Sequence, residues 1–180
     1  MKYLKIPMDR IGVLIGQKGE TKKDLEEKTG LKINIDSNAG EIVIDDHETD
    51  DPLLVIKIEN IVKAIGRGFS PEKAMTLMND DADFFVFDLH DYVGKKVTHI
   101  KRLKSRVIGK EGKTKRVLEE LTDAKISVYG HTVSIISDFE RMNILKKSVD
   151  MILTGSTHAT VYRFVEIQIK ELRRSKQYGF

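Results

Sequence analysis

The chain of 180 residues contains no cysteine and no tryptophan, and it has only three prolines. Without cysteine it cannot form a disulfide framework, a thiolate metal site or a cysteine nucleophile, which excludes disulfide-stapled secreted modules and zinc fingers. A reducing cytoplasm is therefore the expected compartment. No apolar run reaches the roughly 18 residues that a membrane helix requires, and the amino end predicts no secretory signal.

Charged residues make up 33% of the chain, and the two signs are divided unevenly along it. Lys and Arg number 12 and Asp and Glu 15 up to Asp80, against 19 and 13 after it, so the two halves carry net charges of −3 and +6. A positive half favours contact with a polyanion such as nucleic acid, although salt-bridged helix faces alone produce similar imbalances. The second half is the better candidate for a nucleic-acid-binding region.

An internal repeat appears when the sequence is compared with itself at a shift of 93 positions. The segment 15–22 then aligns with 108–115, and both contain the pattern Ile-Gly-x-x-Gly. Further identities follow without a gap and pair Leu25, Glu26, Glu27, Thr29, Lys32 and Ile33 with Leu118, Glu119, Glu120, Thr122, Lys125 and Ile126. Agreement in one register predicts a duplicated unit, and hence two domains over residues 1–80 and 81–180.

Both copies show the same order of predicted elements, because alternating residues predict strands and apolar residues at helical spacing predict helices. In the first copy these are a strand over 2–6, helices over 10–15 and 20–29, strands over 32–36 and 41–45, and a helix starting near Pro52. In the second they are a strand over 84–89, helices ending at 108 and spanning 113–122, strands over 125–128 and 132–137, and a helix marked by Ile144, Leu145, Val149 and Ile152. The repeated order βααββα predicts an α+β fold.

Two glycine loops, Gly16–Gly19 and Gly109–Gly112, each follow an isoleucine and precede a predicted helix. Such a loop exposes backbone N–H groups at the positive end of a helix, and a side chain at either glycine would obstruct a phosphate that approaches them. A single GxxG pattern usually marks only a tight turn. Two of them, in register within the same order of elements, favour a binding role.

On these residues the sequence resembles the KH (K-homology) family of RNA-binding domains, of the βααββα type, twice over. The Ile-Gly-x-x-Gly signature occurs at 15–19 and at 108–112, and each is followed by a helix and a strand beginning Lys-Ile. The resemblance implies two three-stranded antiparallel sheets, each covered on one face by three helices, plus a C-terminal helix. It also implies that each loop clamps about four unpaired nucleotides, with the bases in an aliphatic groove between the flanking helices and the middle strand.

The RNA-binding residues that the resemblance implies are the two loops with their flanking cations and aliphatic side chains. In the first copy they are Ile15, Gly16, Gln17, Lys18, Gly19 and Ile33. In the second copy they are Arg106, Ile108, Gly109, Lys110, Glu111, Gly112, Lys113, Lys115, Ile126 and Val128. By position the aliphatic floor also includes Ile11, Leu14, Ile35 and Val107. For any single member of this floor, ordinary core packing is at least as good an interpretation.

A narrower resemblance, to the Pno and Krr type of KH proteins, rests on the stretch 64–72, Ala-Ile-Gly-Arg-Gly-Phe-Ser-Pro-Glu. Two intact loops and short termini indicate an archaeal member. The resemblance implies a role in small-ribosomal-subunit assembly, with single-stranded rRNA near the 3′ end as partner and no cofactor. Further partners would be rRNA-processing or rRNA-modifying enzymes, or a translation initiation factor. The stretch also reads as a plain helix–helix connection, with Ser70 as N-cap and Pro71 at the first helical position.

The distribution of cations predicts that the second loop binds RNA more strongly than the first. Ten basic residues between Lys95 and Arg116 are interrupted by one acid, Glu111, whereas four cations around the first loop are offset by five acids between Asp9 and Glu27. Neutralisation of phosphates therefore favours the second copy, and the first is expected to bind weakly or to contact a protein. The last helix, predicted over about 157–176, is expected to pack on the second domain rather than to form an RNA arm.

No pattern predicts catalysis. Gly112-Lys113-Thr114 resembles the end of a nucleotide-binding P-loop. That motif also requires a glycine five residues before Gly112, and Val107 occupies this position. The acidic run 45–51 is expected to be a solvated loop that leads into a helix. No metal site is predicted, since no ligand spacing occurs among the histidines, which are expected at the surface or at helix ends: His47, His90, His99, His131 and His158.

Two hypotheses remain from the sequence. In the first, the protein is a non-enzymatic ribosome-assembly factor that holds unpaired rRNA through its glycine loops. In the second, it is a protein adaptor in which the KH folds serve as scaffolds, because a fold does not determine a function.

Overall fold

The structure, a computed structural model, describes residues 1–47 and 49–179. Glu48, part of the predicted acidic run, lies outside the described residues. The chain divides into two units, Met1–Asp80 and Asp81–Phe180, and each contains one three-stranded antiparallel sheet with its helices. The predicted α+β class and the twofold βααββα order are confirmed. Within the described residues, no helix has both the length and the apolar character needed to cross a membrane.

The first unit contains three strands and four helices in its described part. They are β1 (Lys2–Lys5), α1 (Met8–Ile15), α2 (Glu20–Thr29), β2 (Lys32–Asp36), β3 (Glu41–Asp45), α3 (Pro52–Gly66) and α4 (Pro71–Met75). The strand order is β1-β3-β2, so the strand that is second in sequence lies at the sheet edge. Ile33 of β2 pairs with Ile44 of β3, and both side chains are fully buried against the helices that cover this face.

The second unit repeats this arrangement and adds a long last helix. Its elements are β4 (Ala82–Asp88), α5 (His90–Val93), α6 (Val97–Ile108), α7 (Lys113–Thr122), β5 (Lys125–Tyr129), β6 (Thr132–Asp138), α8 (Phe139–Leu153) and α9 (His158–Tyr178). The strand order is β4-β6-β5. Val161 and Val165 of α9 are fully buried in the core of this unit, and Lys176 forms an ion pair with Glu140 of α8. The predicted packing of the last helix on the second domain is confirmed.

Several residues that are identical in the two copies connect the second helix of each domain to the strand that follows it. In the first domain Leu25 is fully buried, and the hydroxyl of Thr29 donates to its carbonyl at 2.6 Å. The carboxylate of Glu26 accepts a hydrogen bond from the N–H of Ile33 at 2.8 Å. The matching residues of the second domain make the same contacts at the same distances. An edge strand needs such a partner for N–H groups on its outer side, which explains why these residue types recur.

The two copies diverge after the second strand of each domain. From there on, the shift of 93 positions no longer aligns their sequences. The turn between β2 and β3 covers residues 37–40, whereas Gly130 and His131 alone connect β5 to β6. The side chain of Asp51 caps α3 after a connecting segment, but α8 follows β6 directly, with Asp138 as its cap. Loops tolerate such changes in length because they lie at the surface.

Some predicted boundaries differ from the observed ones. β1 ends at Lys5 rather than Ile6, whose N–H leaves the ladder and donates to the carbonyl of Gly40 at 3.1 Å. β4 spans Ala82–Asp88 instead of 84–89. The helix α5 was not predicted, because a single helical turn is too short to show a period. The predicted cap of α4 is confirmed, since the hydroxyl of Ser70 accepts from the N–H of Lys73.

Candidate nucleic-acid interface

The two glycine loops follow the same backbone path. The first glycine of each has φ near +77° and ψ of 176°, as measured at Gly16 and Gly109. The last glycine of each is left-handed, with φ of 81° at Gly19 and 72° at Gly112. The residue before it is also left-handed, although it is Lys18 in one loop and Glu111 in the other. Three of the four residues in each loop therefore have positive φ, which forces the chain into the same sharp turn before the next helix.

The first glycine of each loop is required by close packing. A Cβ atom built on Gly109 would lie 2.7 Å from the backbone nitrogen of Thr114, and one on Gly16 would lie 2.7 Å from that of Thr21. At Gly112 a Cβ atom would meet nothing within 4 Å. The first glycine thus lets the loop close against the following helix, and the last one leaves open space in front of it. The sequence did not distinguish these two roles.

The helices that follow the loops begin without a side-chain cap. α2 starts at Glu20 and α7 at Lys113, and in neither does a side chain accept from the first turn. Asp51 and Asp138 cap α3 and α8, whereas α1 and α6 also begin without a side-chain cap, so the glycine loop in front of α2 and α7 is what distinguishes their starts. The first N–H groups of a helix lack partners within the helix and carry the positive end of its dipole. The N–H of the first helical residue already donates to a loop carbonyl, from Glu20 to Gln17 and from Lys113 to Lys110. The neighbouring N–H groups at these two positive helix ends are suited to an anion such as a phosphate.

The aliphatic positions of the predicted groove divide into an accessible and a buried set. Ile15 and Ile35 of the first domain, and Ile108 and Val128 of the second, are half-buried. The buried set lies in the cores of the two domains and consists of Ile11, Leu14, Ile33, Val107 and Ile126. The buried set, which includes the predicted contacts Ile33 and Ile126, can only support the floor from below.

The cations of the second loop are largely free of acidic partners. Lys110 and Lys113 are exposed, and in the described part of the chain neither forms an ion pair. Lys115, also predicted to bind RNA, lies 3.3 Å from Glu119 on the same helix. Two strong positive charges thus flank the start of α7 without neutralisation.

Arg106 has a structural role that the sequence did not predict. Its Nε donates to the carbonyl of Ile152 at 3.0 Å and its Nη2 to the carbonyl of Ser156 at 2.7 Å. These bonds satisfy one carbonyl in the last turn of α8 and one in the segment that connects α8 to α9. The guanidinium is therefore engaged inside the domain, and the prediction of a direct phosphate contact from Arg106 is corrected to one of support for the helix that leads into the loop.

The first domain uses a different arginine for the same purpose. Nε of Arg10 donates to the carbonyl of Ile65 at 2.8 Å, and its Nη2 donates to that of Phe69 at 2.7 Å. Arg10 lies near the start of α1, whereas Arg106 lies near the end of α6, so a shift of the sequence could not match them. In both domains an arginine connects the helix before the glycine loop to the end of the third helix.

The cations of α2, by contrast, are paired along their own helix. The ion pairs, with their N–O distances, are Lys22–Glu26 at 3.8 Å, Lys23–Glu27 at 3.5 Å and Lys28–Asp24 at 2.8 Å. Exposed pairs of this kind contribute little to stability, but they neutralise charge that would otherwise face a phosphate backbone. Lys18, in the loop itself, is exposed, and Gln17 beside it is uncharged. The difference in charge between the two loops, predicted from the sequence, is present in the structure.

The last helix, α9, supports the second glycine loop through hydrogen bonds to the helices on either side of it. The hydroxyl of Tyr162 donates to Oγ1 of Thr114 at 3.1 Å, next to the close contact of Gly109. Nε2 of His158 lies 2.8 Å from the carbonyl of Arg106 and completes the end of α6. The expectation of a helix-end role for His158 is confirmed. The contact of Tyr162 was missed, because no spacing in the sequence indicates which face of α9 meets the loop.

A βααββα unit with a GxxG loop between its first two helices defines the type I KH domain, and this chain contains two of them. Residues 1–67 match the family described as KH domain, and residues 83–170 match the family described as eukaryotic type KH-domain (KH-domain type I). A KH domain-containing protein of Methanocaldococcus jannaschii is 45% identical over 176 residues, which cover 98% of this chain and 77% of that protein. The chain belongs to the KH-domain family and, within it, to the archaeal Pno1 type.

More distant relatives and solved structures agree with this assignment. The pre-rRNA-processing protein PNO1 of Kluyveromyces lactis is 27% identical over 148 residues, which cover 80% of this chain and 54% of that longer protein. Dim2p from Pyrococcus horikoshii superimposes with a TM-score of 0.84 at 45% identity, over 92% of this chain and 97% of that one. The a/eIF2alpha-aDim2p-rRNA complex from the same organism matches with a TM-score of 0.86 at 44% identity, over 94% of each chain.

Proposed function

We propose that this protein binds single-stranded rRNA of the small ribosomal subunit, near its 3′ end, through its two GxxG loops during ribosome biogenesis. The observation that carries the proposal is the pair of loops with one backbone path, each opening on an uncapped helix start. The rRNA named in the complex of the Pyrococcus relative supports RNA as the ligand. The relatives named for pre-rRNA processing support the biological setting.

The chemistry at the second loop follows from its contacts. Phosphate oxygens accept hydrogen bonds from backbone N–H groups next to that of Lys113, which already donates to the carbonyl of Lys110, and the side chains of Lys110 and Lys113 neutralise the phosphate charge. The half-buried side chains of Ile108 and Val128 offer an apolar surface to unstacked bases. Backbone N–H groups recognise the sugar-phosphate chain without reading its sequence, so base preference arises in the aliphatic groove.

We infer that the second domain supplies most of the RNA affinity. Lys110 and Lys113 are unpaired in the described part of the chain, whereas the lysines of α2 are paired with acids on the same helix. Each phosphate that a free cation neutralises releases counterions from the RNA, which drives binding. The first domain then binds RNA weakly or contacts a protein.

Two double variants test the proposal. Lys110→Asp with Glu111→Asp, and separately Gln17→Asp with Lys18→Asp, place carboxylates in one loop at a time. We expect the first to weaken binding of a single-stranded fragment from the 3′ end of small-subunit rRNA by about tenfold or more, and the second to weaken it less. A duplex of the same sequence serves as the control ligand. Equal losses would reject the asymmetry, and unchanged binding in both would reject the loops as the RNA sites.

A protein-adaptor function is the second candidate, because the Pyrococcus complex contains a/eIF2alpha besides rRNA. RNA binding that weakens steeply with salt favours the first function, and salt-independent or absent RNA binding favours the adaptor. We propose no catalytic role: the protein would hold rRNA in the cytoplasm and present it to processing or modifying enzymes. Tight Mg²⁺-dependent binding of ATP would contradict this.

A further inference from the structure

Three side chains that the proposed function does not use meet at one end of the second sheet. Asp88 ends β4, His90 begins α5, and His131 lies in the turn between β5 and β6. The N–H of Leu89 donates to the carbonyl of His131 at 2.8 Å and holds this turn against the end of β4. The contact brings residues that are distant in sequence into one group, Asp88, His90 and His131, which we call the His–Asp cluster.

The carboxylate of Asp88 faces both imidazole rings. Nδ1 of His90 lies 3.1 Å from Oδ1 of Asp88, and Nε2 of His131 lies 3.6 Å from Oδ2. One ligand atom from each of the three residues lies within 4.8 Å of the other two. Ligands held at about 2.0 Å from a tetrahedral ion are roughly 3.3 Å apart, which is close to the two N–O separations, and rotation of the side chains must bring the three atoms around one point.

The cluster is partly ordered in advance and open to solvent. The N–H of His90 donates to Oδ1 of Asp88 at 2.9 Å, which fixes the orientation of the carboxylate. The two rings stack with centroids 4.2 Å apart and planes inclined by 24°, and they turn out of this stack when their in-plane lone pairs converge on an ion. The side chains are 32% exposed at His90, 41% at His131 and 42% at Asp88, so an ion from solution can reach them.

The KH fold does not require Asp88, His90 and His131 at this end of the sheet. In the first domain the N–H of Ile6 donates to the carbonyl of Gly40 at 3.1 Å, which matches the contact between Leu89 and His131. The residues that flank Ile6 are Lys5 and Pro7, where the second domain has Asp88 and His90. None of the usual metal ligands is present at Gly40, Lys5 or Pro7, yet the same backbone hydrogen bond forms there.

We propose that the His–Asp cluster binds a divalent transition-metal ion, with Zn²⁺ as the expected ion. Two imidazole nitrogens and one carboxylate oxygen form the donor set of zinc sites that keep a coordination position open. Mg²⁺ and Ca²⁺ take oxygen ligands and are disfavoured by this set. The ion connects the end of β4, the start of α5 and the β5–β6 turn, and its open position takes water or a further ligand.

A second group of potential ligands, Asp45, Asp46 and His47, provides a comparison within the same chain. It contains one imidazole instead of two, and His47 is exposed. The carboxylate of Asp46 also forms an ion pair with the amino group of Met1. This group therefore represents adventitious binding by surface acids, against which the His–Asp cluster can be measured.

Calorimetric titration of Zn²⁺ into the untagged full chain tests the proposal, with Mg²⁺ present to occupy oxygen-only sites. We expect one Zn²⁺ per chain, and a loss of affinity of about tenfold or more in His90→Ala and in His131→Ala. The matched controls His47→Ala and His99→Ala should bind as the wild type does. Thermal unfolding without metal checks that each variant is folded.

A measurement on the wild type removes the dependence on variants. In two-dimensional NMR spectra of the histidine rings, Zn²⁺ should shift the signals of His90 and His131 and leave those of His99 and His158 in place. The proposal is overturned if the wild type shows no saturable Zn²⁺ binding, if the His90 and His131 variants bind as tightly as the wild type, or if the His47 variant loses the binding instead.

Discussion

At the scale of single residues, the two glycines of each loop carry different constraints. Gly109 combines φ of +76° with ψ of 176°, a region of backbone space that only glycine occupies readily. Gly112 is left-handed, with φ of 72° and ψ of 12°, which other residues adopt at a modest cost. The first position is also close-packed against the backbone of Thr114, and the second faces open space.

We therefore predict that Gly109→Ala is the more damaging substitution. It should lower the free energy of unfolding by about 3 kcal/mol, because backbone strain and the contact with Thr114 add together. Gly112→Ala should cost about 1 kcal/mol, from the left-handed backbone alone. Urea unfolding of the two variants measures the difference, and equal costs would contradict the distinction between the two positions.

Tyr92 provides a second prediction at this scale. Its hydroxyl donates to Oδ1 of Asp150 at 2.8 Å and holds α5 against α8. Burial of the phenol and the adjacent carboxylate of Asp150 raise the pKa of Tyr92 to about 12. An ordinary tyrosine titrates near pH 10, so the contribution of this bond to stability is present below about pH 10 and is lost as the pH rises through about 12.

In a spectrophotometric titration, the tyrosine that ionises last should disappear in Tyr92→Phe. Tyr178→Phe is the matched control, because that side chain is 70% exposed and its loss should leave the late transition in place. The Tyr92 variant should also unfold with a free energy lower by about 1 kcal/mol at pH 7. A late transition that persists in Tyr92→Phe would contradict the assignment.

At the scale of elements, α9 is part of the second domain rather than an appendage. Val161 and Val165 are fully buried, and Ile169 is 5% exposed. Tyr162 and His158 reach from the same helix to the elements on either side of the second loop. The helix thus contributes both to the core and to the placement of the loop.

Two isoleucines of α9 test this interpretation. Ile169→Ala removes buried side-chain volume and should lower the free energy of unfolding by about 2 kcal/mol. Ile167→Ala, two residues earlier and 45% exposed, should change it by less than about 0.5 kcal/mol. Chemical denaturation of both variants gives the comparison, and similar costs at the two positions would argue against packing of α9 on the domain.

Elements were also where sequence-based prediction succeeded and failed most clearly. The helix over 20–29 and the strands over 32–36 and 41–45 match the observed bounds, because glycines and turn residues mark their ends. The helix α5 was missed, and the strand before it was displaced by a residue or two at each end. The helix α5 has no counterpart in the first copy, and its insertion moves β4 out of the register of 93 positions with β1, so the internal repeat gave no guidance for either element.

At the scale of the whole molecule, the chain carries two loops of one backbone geometry in different electrostatic surroundings. The net charges of −3 and +6 for the two halves are accompanied by a local difference in how the cations are paired. The cations of α2 are paired with acids, whereas Lys110 and Lys113 are unpaired among the described residues. The molecule therefore has two glycine loops of similar backbone shape that attract a polyanion unequally.

The salt dependence of RNA binding measures this inequality. A single-stranded ligand loses affinity with a logarithmic slope of about 0.7 for each neutralised phosphate, so Lys113→Ala should reduce the slope by about that amount. Lys176→Ala is the control, because Lys176 is paired with Glu140 and is not expected to touch RNA. A reduced slope in the Lys176 variant would instead indicate that the end of α9 contacts RNA.

The sequence by itself determined the duplication, the order of the elements and the position of both glycine loops, because these depend on local patterns of polarity and on residues with special backbone freedom. Only the tertiary structure decided that Ile33 and Ile126 belong to the core and that Arg106 is engaged inside its domain. It also brought His131 beside Asp88 and His90. Such contacts join residues that are far apart along the chain, and no periodicity in the sequence records which of them meet.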